Sequence, residues 1–339
     1  MRVRWIAAVA ALAVGLAGSA KADPANWKQV DADAKWVVSL DVDALLKSNL
    51  ANKVYKRLQA EHPEAAKGLS HLQEVLQFVP IADLHGVTVY SESFKKGAGV
   101  AVVNAKAKQQ SLLELVANAS DHRVASYGKH EIHTWTHAKG SKQERGVASA
   151  FFGTDVIVFS GSTAEVQAAL DVLDGKKPSL DGNKSSLTVA SPAGTVLTVR
   201  AIGFSGVKFP HELPPVVKKT DAIAMSVGED NDTVFIDGKL TLKDSESAEL
   251  LQSVVEGGRA AALLAHGDDE DLAKLIRSLK ITDGDKAINV TFQATSNAIE
   301  NELKKIDKKI KSGELQPLLR HHPAGENHPA KEDQPAKVD

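Results

Sequence analysis

Residues 146–175, GVASAFFGTDVIVFSGSTAEVQAALDVLDG, constrain the fold more than any other stretch, because the hydrophobic period changes there from that of a strand to that of a helix. Ala150-Phe151-Phe152 and Val156-Ile157-Val158-Phe159 flank Gly153-Thr154, which predicts a hairpin. Ser162 and Glu165 have the S-x-x-E spacing of a capping box, and Val166, Leu170 and Leu173 then recur on one face of a helix. Gly175 and Pro178 end it. A strand pair with one helix cannot close its own core, so units of this kind must combine.

The design returns near the C-terminus. Ile288, Val290 and Phe292 alternate with Asn289, Thr291 and Gln293, and Thr295 precedes Ile299, Leu303 and Ile306 at the spacing that Ser162 has before Val166. Further upstream, strands are predicted at 36–40, 86–91 and 99–105, with a helix-rich segment over 42–79 between the first two. A second series follows at 195–201, 222–227 and 232–242. Val87 and Val89 correspond to Met225 and Val227, and Leu112, Leu113 and Val116 correspond to Leu250, Leu251 and Val254. The expected fold class is therefore α+β, with two repeated halves of ββα units forming antiparallel sheets whose helices pack on one face. Residues 23–178 form the first half and 179–311 the second, with the polar segment 175–192 as the boundary. Residues 312–339, rich in Pro, His and charge, read as a disordered tail.

The first 22 residues have the anatomy of a signal peptide: Arg2 and Arg4, an apolar run from Ile6 to Ala17, and small residues at Ala20 and Ala22, so that cleavage after Ala22 is expected. That predicts a periplasmic or secreted chain. No second apolar run is long enough for a transmembrane anchor. Loss of Arg2, Arg4 and Lys21 leaves 38 of the 41 basic residues against 43 acidic ones, a formal net charge of −5 that argues against a nucleic-acid partner. The chain has no cysteine, which excludes thiol catalysis and Cys-ligated zinc.

The leader, the absence of cysteine and the tandem units ending in VFSGSTAEVQAALDVLDG resemble a broad group of uncharacterised bacterial exported proteins. The resemblance covers most of the mature chain and implies no activity.

The residues closest to a chemical constellation are KHEIHTWTH, 129–137. On a strand, Glu131, His133, Trp135 and His137 share one face, and His130, Ile132, Thr134 and Thr136 share the other. With Gly128-Lys129 as a two-residue turn, His122 lies opposite Trp135 and diagonal to His133 and His137. His122, His133 and His137 are thus candidate ligands for a divalent metal, with Glu131 beside them, and Trp135 with Glu131 is a candidate surface for a small ligand or glycan. Against a shared ion stands the separation of His133 and His137, about 13 Å along one strand.

Other motifs fail on spacing. GFSG at 203–206 lacks the last glycine of a nucleophile elbow, HEIH at 130–133 is not a zinc-protease motif, and GEDND (228–232) and GDDED (267–271) lack the pattern of a calcium loop. The latter two read as a hairpin turn and a helix start. No cofactor is predicted. The expectation is a non-enzymatic scaffold or interaction module with a cell-envelope partner, the alternatives being a metal-dependent hydrolase or metal-binding protein and a small-ligand or glycan binder.

Overall fold

The computed structural model describes residues 25–61, 83–106, 108–142, 144–182, 185–203 and 219–312. The leader, the helical spacing at Leu69, Leu72, Val75 and Leu76, the connection holding Pro210, Pro214 and Pro215, and the tail from 313 onward lie outside them.

The chain is α+β. In the first half, β1 (Trp36–Asp41) is followed by helices α1 (Val42–Lys47) and α2 (Asn49–Glu61), then β2 (Leu84–Ser91), β3 (Val100–Ala105) and α3 (Gln109–Ala117). Two hairpins follow, β4 (Arg123–Tyr127) with β5 (His130–His137) and β6 (Arg145–Phe152) with β7 (Val156–Ser160), and then α4 (Thr163–Leu173). The second half runs β8 (Thr195–Ile202), β9 (Thr220–Asp230), β10 (Thr233–Leu242), α5 (Ser245–His266), α6 (Glu270–Ser278), β11 (Lys280–Gly284), β12 (Ala287–Thr295) and α7 (Ser296–Lys311). All twelve strands join one antiparallel sheet in the order β11-β12-β10-β9-β8-β1-β2-β3-β7-β6-β5-β4. Outward from the central β8–β1 pair the connectivity matches, β8-β9-β10-β12-β11 on one side and β1-β2-β3-β7-β6 on the other, with β5-β4 added at one end. Among the described residues no helix is long and apolar enough to cross a membrane.

Register explains what covers each face. One row of directly paired residues runs across one face through Thr291, Asp237, Ser226, Thr198, Ser39, Thr88, Val102, Val158, Ala150 and Ile132. It is polar as far as Thr88 and apolar beyond. The row on the other face, through Phe292, Ile236, Val227, Leu197, Leu40, Val87, Val103, Ile157 and Phe151, is apolar throughout. Helices follow the apolar surface. In the first half α4 seats Val166, Ala169 and Leu170 on Val102, Val158 and Ala150 of the first face, joined by Val30, Leu180 and Leu187. Burying each of the larger side chains contributes about 1.5–3 kcal/mol. In the second half the cover lies on the opposite face: Ala248 and Leu251 of α5 pack on Leu242 and Ile288, and Ile299 of α7 meets Leu50 of α2 and Val234. Leu250 and Val254 of α5, expected to match Leu112 and Val116, are exposed.

The segment from Gly175 to Pro192 is part of the first core despite its polar composition. Leu180 N donates to Val30 O (2.8 Å) and Ala32 N to Pro178 O (3.1 Å). Leu180 and Leu187 are fully buried. Its end crosses the centre of the sheet, where the buried Arg200 guanidinium donates to Val189 O, Ser191 Oγ, Ser226 Oγ and Met225 O. Beside it, Ser39 Oγ and Thr88 Oγ1 pair at 2.9 Å, so each of these two buried hydroxyls has a partner.

Two local expectations change. Ser162 stands at the N-cap of α4 without a side-chain capping bond. Glu165 instead accepts from Gly99 N (3.0 Å) and Ser160 Oγ (2.5 Å), tying the helix to the end of β3. A Cβ at Gly99, where φ is +138°, would meet Tyr90 O at 3.2 Å, so the close approach there requires glycine. The segment KITDG was not recognisable as a strand, having one apolar residue; pairing with β12 makes it β11.

Candidate functional site

The hairpin at β4–β5 forms as the sequence predicts. Tyr127 pairs with His130 across Gly128-Lys129, with Gly128 at φ +59°, and Arg123 pairs with Thr134. His122 immediately precedes β4, just beyond the last of these pairs. The two edges of the hairpin are pinned: Thr136 N donates to Ser120 O (2.8 Å), while Thr136 Oγ1 and Lys139 Nζ both donate to Asp121.

The register brings His122 and His133 together. His122 Nε2 and His133 Nδ1 are 3.2 Å apart, with ring centroids 5.4 Å apart and planes 8° from parallel, so the rings meet edge to edge. His133 is buried at 6% exposure, next to Ser149 of β6. Burial lowers its pKa below the ordinary histidine value, the neighbouring His122 adds to that, and Glu131 opposes it. Trp135 and His137 are half-buried on the same face, and Glu131 is exposed. His137 and Glu131 do not complete a cluster. Among the described residues, the groups of three or more ligand-type side chains with atoms within 4.8 Å of one another are Asp31, Asp33, Glu92 and Asp269, Asp271, Glu302.

Both carboxylate groups hold a lysine. Lys177 Nζ contacts Asp31 and Glu92, and Lys305 Nζ contacts Asp269 and Glu302. Burial pushes the Asp31 carboxyl up, while Lys177 pulls it back. For Lys305, hydrogen bonds to Glu302 and Asp269 raise the pKa. Asp269 also caps α6 through Leu272 N, as a helix start should.

On the other face of β5, His130 turns inward to Asp174 at the end of α4, with Nε2 3.2 Å from the carboxylate oxygens. Phe152 stacks on its ring. Hydrogen bonds from Lys129 and Lys176, then His130, hold the Asp174 carboxyl well below the usual carboxylate range against the effect of burial. Tyr127 Oη donates to Asp171 at 2.8 Å. These contacts lock the helix to the hairpin.

Two features went unrecognised in the sequence. Glu229, within the acidic run read as a turn, is buried: Oε2 accepts from Ser48 Oγ (2.8 Å) and Leu50 N (3.2 Å), and Oε1 from Ser296 Oγ (2.6 Å). Its carboxylate therefore sits at the N-termini of α2 and α7, where helix dipoles favour negative charge, and fastens an element of the first half to the second. Asn231 and Asp232, both at positive φ, make the turn itself. The second feature is a groove of about 480 Å³ on the face of β9, β10 and β12 that no helix among the described residues covers. Phe235 and Pro192 line it with Asp237, Asn231, Thr291 and Gln293. Asp237 and Gln293 are exposed and Phe235 is buried, so the groove has an apolar floor and a polar rim. Alternation of β12 marked Thr291 and Gln293 as one face, but only the pairing with β10 and the packing of α5 and α7 on the opposite side show that no helix among the described residues covers it.

No family model and no curated protein matches the chain. Solved structures of TP0453 are similar in shape. Crystal form III has a TM-score of 0.45 at 10% identity, covering 82% of this chain and 96% of that one. Crystal form I has 0.43 at 9%, covering 84% and 98%, and crystal form IV has 0.43 at 8%, covering 83% and 96%.

Proposed function

We propose that the protein is an exported, non-enzymatic interaction module that holds an envelope partner on the face of β9, β10 and β12 opposite α5 and α7. The observation that carries this reading is the change of cover: the helices of the second half pack on the apolar face, leaving Asp237, Thr291 and Gln293 open around Phe235. A rim of polar groups around an aromatic floor is the anatomy of a recognition surface. The basic residues, apolar run and small residues of the first 22 positions support export to the periplasm or beyond. The matched strand order on the two sides of β8–β1 supports an origin as two copies of one unit.

The test is crosslinking of the mature chain in its envelope fraction, with the wild type compared with Asp237→Lys and Thr291→Trp. The reading requires a recurrent partner whose capture falls at least tenfold in both variants while thermal stability is retained. Capture unchanged by both variants contradicts it. So does turnover of a substrate that a single polar substitution abolishes without unfolding the chain.

A further inference from the structure

We infer that the outer face of α5 is the surface through which two copies of this chain associate, as an antiparallel pair of helices crossing at Gly257. The inference is independent of the envelope-partner surface, which lies across the sheet from α5.

The helix is held from one side. Asp244 caps it by accepting from Ser247 N (2.7 Å), Ala248 and Leu251 pack on Leu242 and Ile288, and Arg259 donates to Leu279 O (3.3 Å). On the opposite side Leu250, Val254, Gly257, Ala261 and Leu264 follow one another at steps of four, three, four and three residues, which keeps them in one stripe. All five are exposed, Leu250 at 61%, Val254 at 62% and Leu264 at 89%. The outward face of a solvated helix carries charge, whereas an apolar stripe of this spacing is what one helix presents to another. Gly257 and Gly258 add a second observation. Glycine weakens a helix interior relative to alanine, and a Cβ at either position would meet no atom among the described residues within 4 Å. The fold of one copy therefore makes no use of the missing side chains, and a close approach from outside does.

Three features choose a second copy as the occupant. The stripe reads nearly the same in both directions from Gly257, with Leu250 seven residues before it and Leu264 seven after, Val254 three before and Ala261 four after. A two-fold axis at Gly257 sets Leu250 of each copy against Leu264 of the other, with the smallest residue where the helices cross and the largest where they diverge. Charge disfavours an anionic lipid surface: Glu246, Glu249 and Glu256 stand on α5 against Arg259 alone, whose guanidinium is turned to Leu279. Area fits a reversible pair. The outer half of a helix of 22 residues, ~33 Å long and ~11 Å across, is about 600 Å². Two copies then bury at most ~1,200 Å², the lower limit of a stable interface, so the monomer prevails at low micromolar concentration.

In sedimentation velocity the full mature chain should be a monomer at about 1 μM and increasingly a dimer up to about 300 μM. Leu264→Glu should weaken association at least tenfold. Gly257→Leu should do the same with a thermal midpoint unchanged or higher, because it blocks the crossing yet favours the helix, and this separates lost association from lost folding. The absence of cysteine lets the geometry be read directly. Leu250 of one copy lies about 21 Å along the helix axis from Leu250 of the other. A short bismaleimide should therefore join a mixture of Leu250→Cys and Leu264→Cys chains and leave either variant alone unjoined. A chain monomeric throughout, dimers indifferent to both Leu264→Glu and Gly257→Leu, or crosslinking within Leu250→Cys alone overturns the inference. So does a monomer that binds phosphatidylglycerol vesicles through Leu264 in place of a second copy.

Discussion

The two sides of the sheet are built on matching connectivity and covered on opposite faces. α4 follows β7 and α7 follows β12 at corresponding places, yet α4 lies on the face of Val102 and Val158 and α7 on the face of Val234. The difference teaches that chain order does not choose the face; side-chain chemistry does. Across β9, β10 and β12 only one face is apolar, because Ser226, Asp237 and Thr291 occupy the other. Removing those polar groups from water under a helix would cost free energy without partners to compensate. The consequence is an open polar surface in one half and a closed core at the same place in the other.

The comparison breaks most severely at Glu229, the joint between the halves. Glu229→Ala leaves the Ser48 and Ser296 hydroxyls and the Leu50 N–H without their acceptor, and should destabilise by about 4 kcal/mol in urea unfolding. Loss below 1 kcal/mol would show that the two helices are held by other contacts. Next comes the core of the first half. Leu170→Ala, at a fully buried position, should cost about 3 kcal/mol, while Leu264→Ala at 89% exposure on α5 should change stability by no more than ~0.5 kcal/mol.

Asp174 sharpens the comparison through pH. Its carboxyl is held below the ordinary value by Lys129, Lys176 and His130, so its contribution is complete above the unfolded pKa of ~3.9 and is lost as pH falls from there toward the folded value. Asp174→Asn should therefore be less stable than the wild type at pH 7, and its urea midpoint should fall less between pH 5 and pH 3. Parallel curves would contradict this assignment. The smallest effect belongs to the open face: Asp237→Ala should alter stability by less than ~0.5 kcal/mol and still reduce partner capture.

Much of this was legible where one residue's neighbours in sequence decide its place. Alternation gave the strand faces at 288–292, and the turn at Gly128-Lys129 set the register that joins His122 to His133. Features made by distant partners were not legible. Glu229 sits in an acidic run and looks like a solvated turn until Ser48 and Ser296 arrive from far along the chain. Leu180 and Leu187 are isolated apolar residues in a polar segment, without a period to mark them as core. Glu165 had the spacing of a capping residue, but Gly99 and Ser160 offered it partners that local pattern does not reveal. His137 failed to join the other histidines because a strand spreads its residues and no neighbouring strand brings it back.

The most direct measurement uses the absence of cysteine, which lets single thiols report on each face. Asp237→Cys and Ala150→Cys lie on the same face of the sheet, one in each half. If that face is open in the second half and covered by α4 in the first, the thiol at position 237 reacts with a maleimide at the rate of an unfolded peptide, whereas the thiol at position 150 reacts only as fast as the protein unfolds. Equal rates at the two positions would contradict the opposite placement of the helices and, with it, the interaction surface.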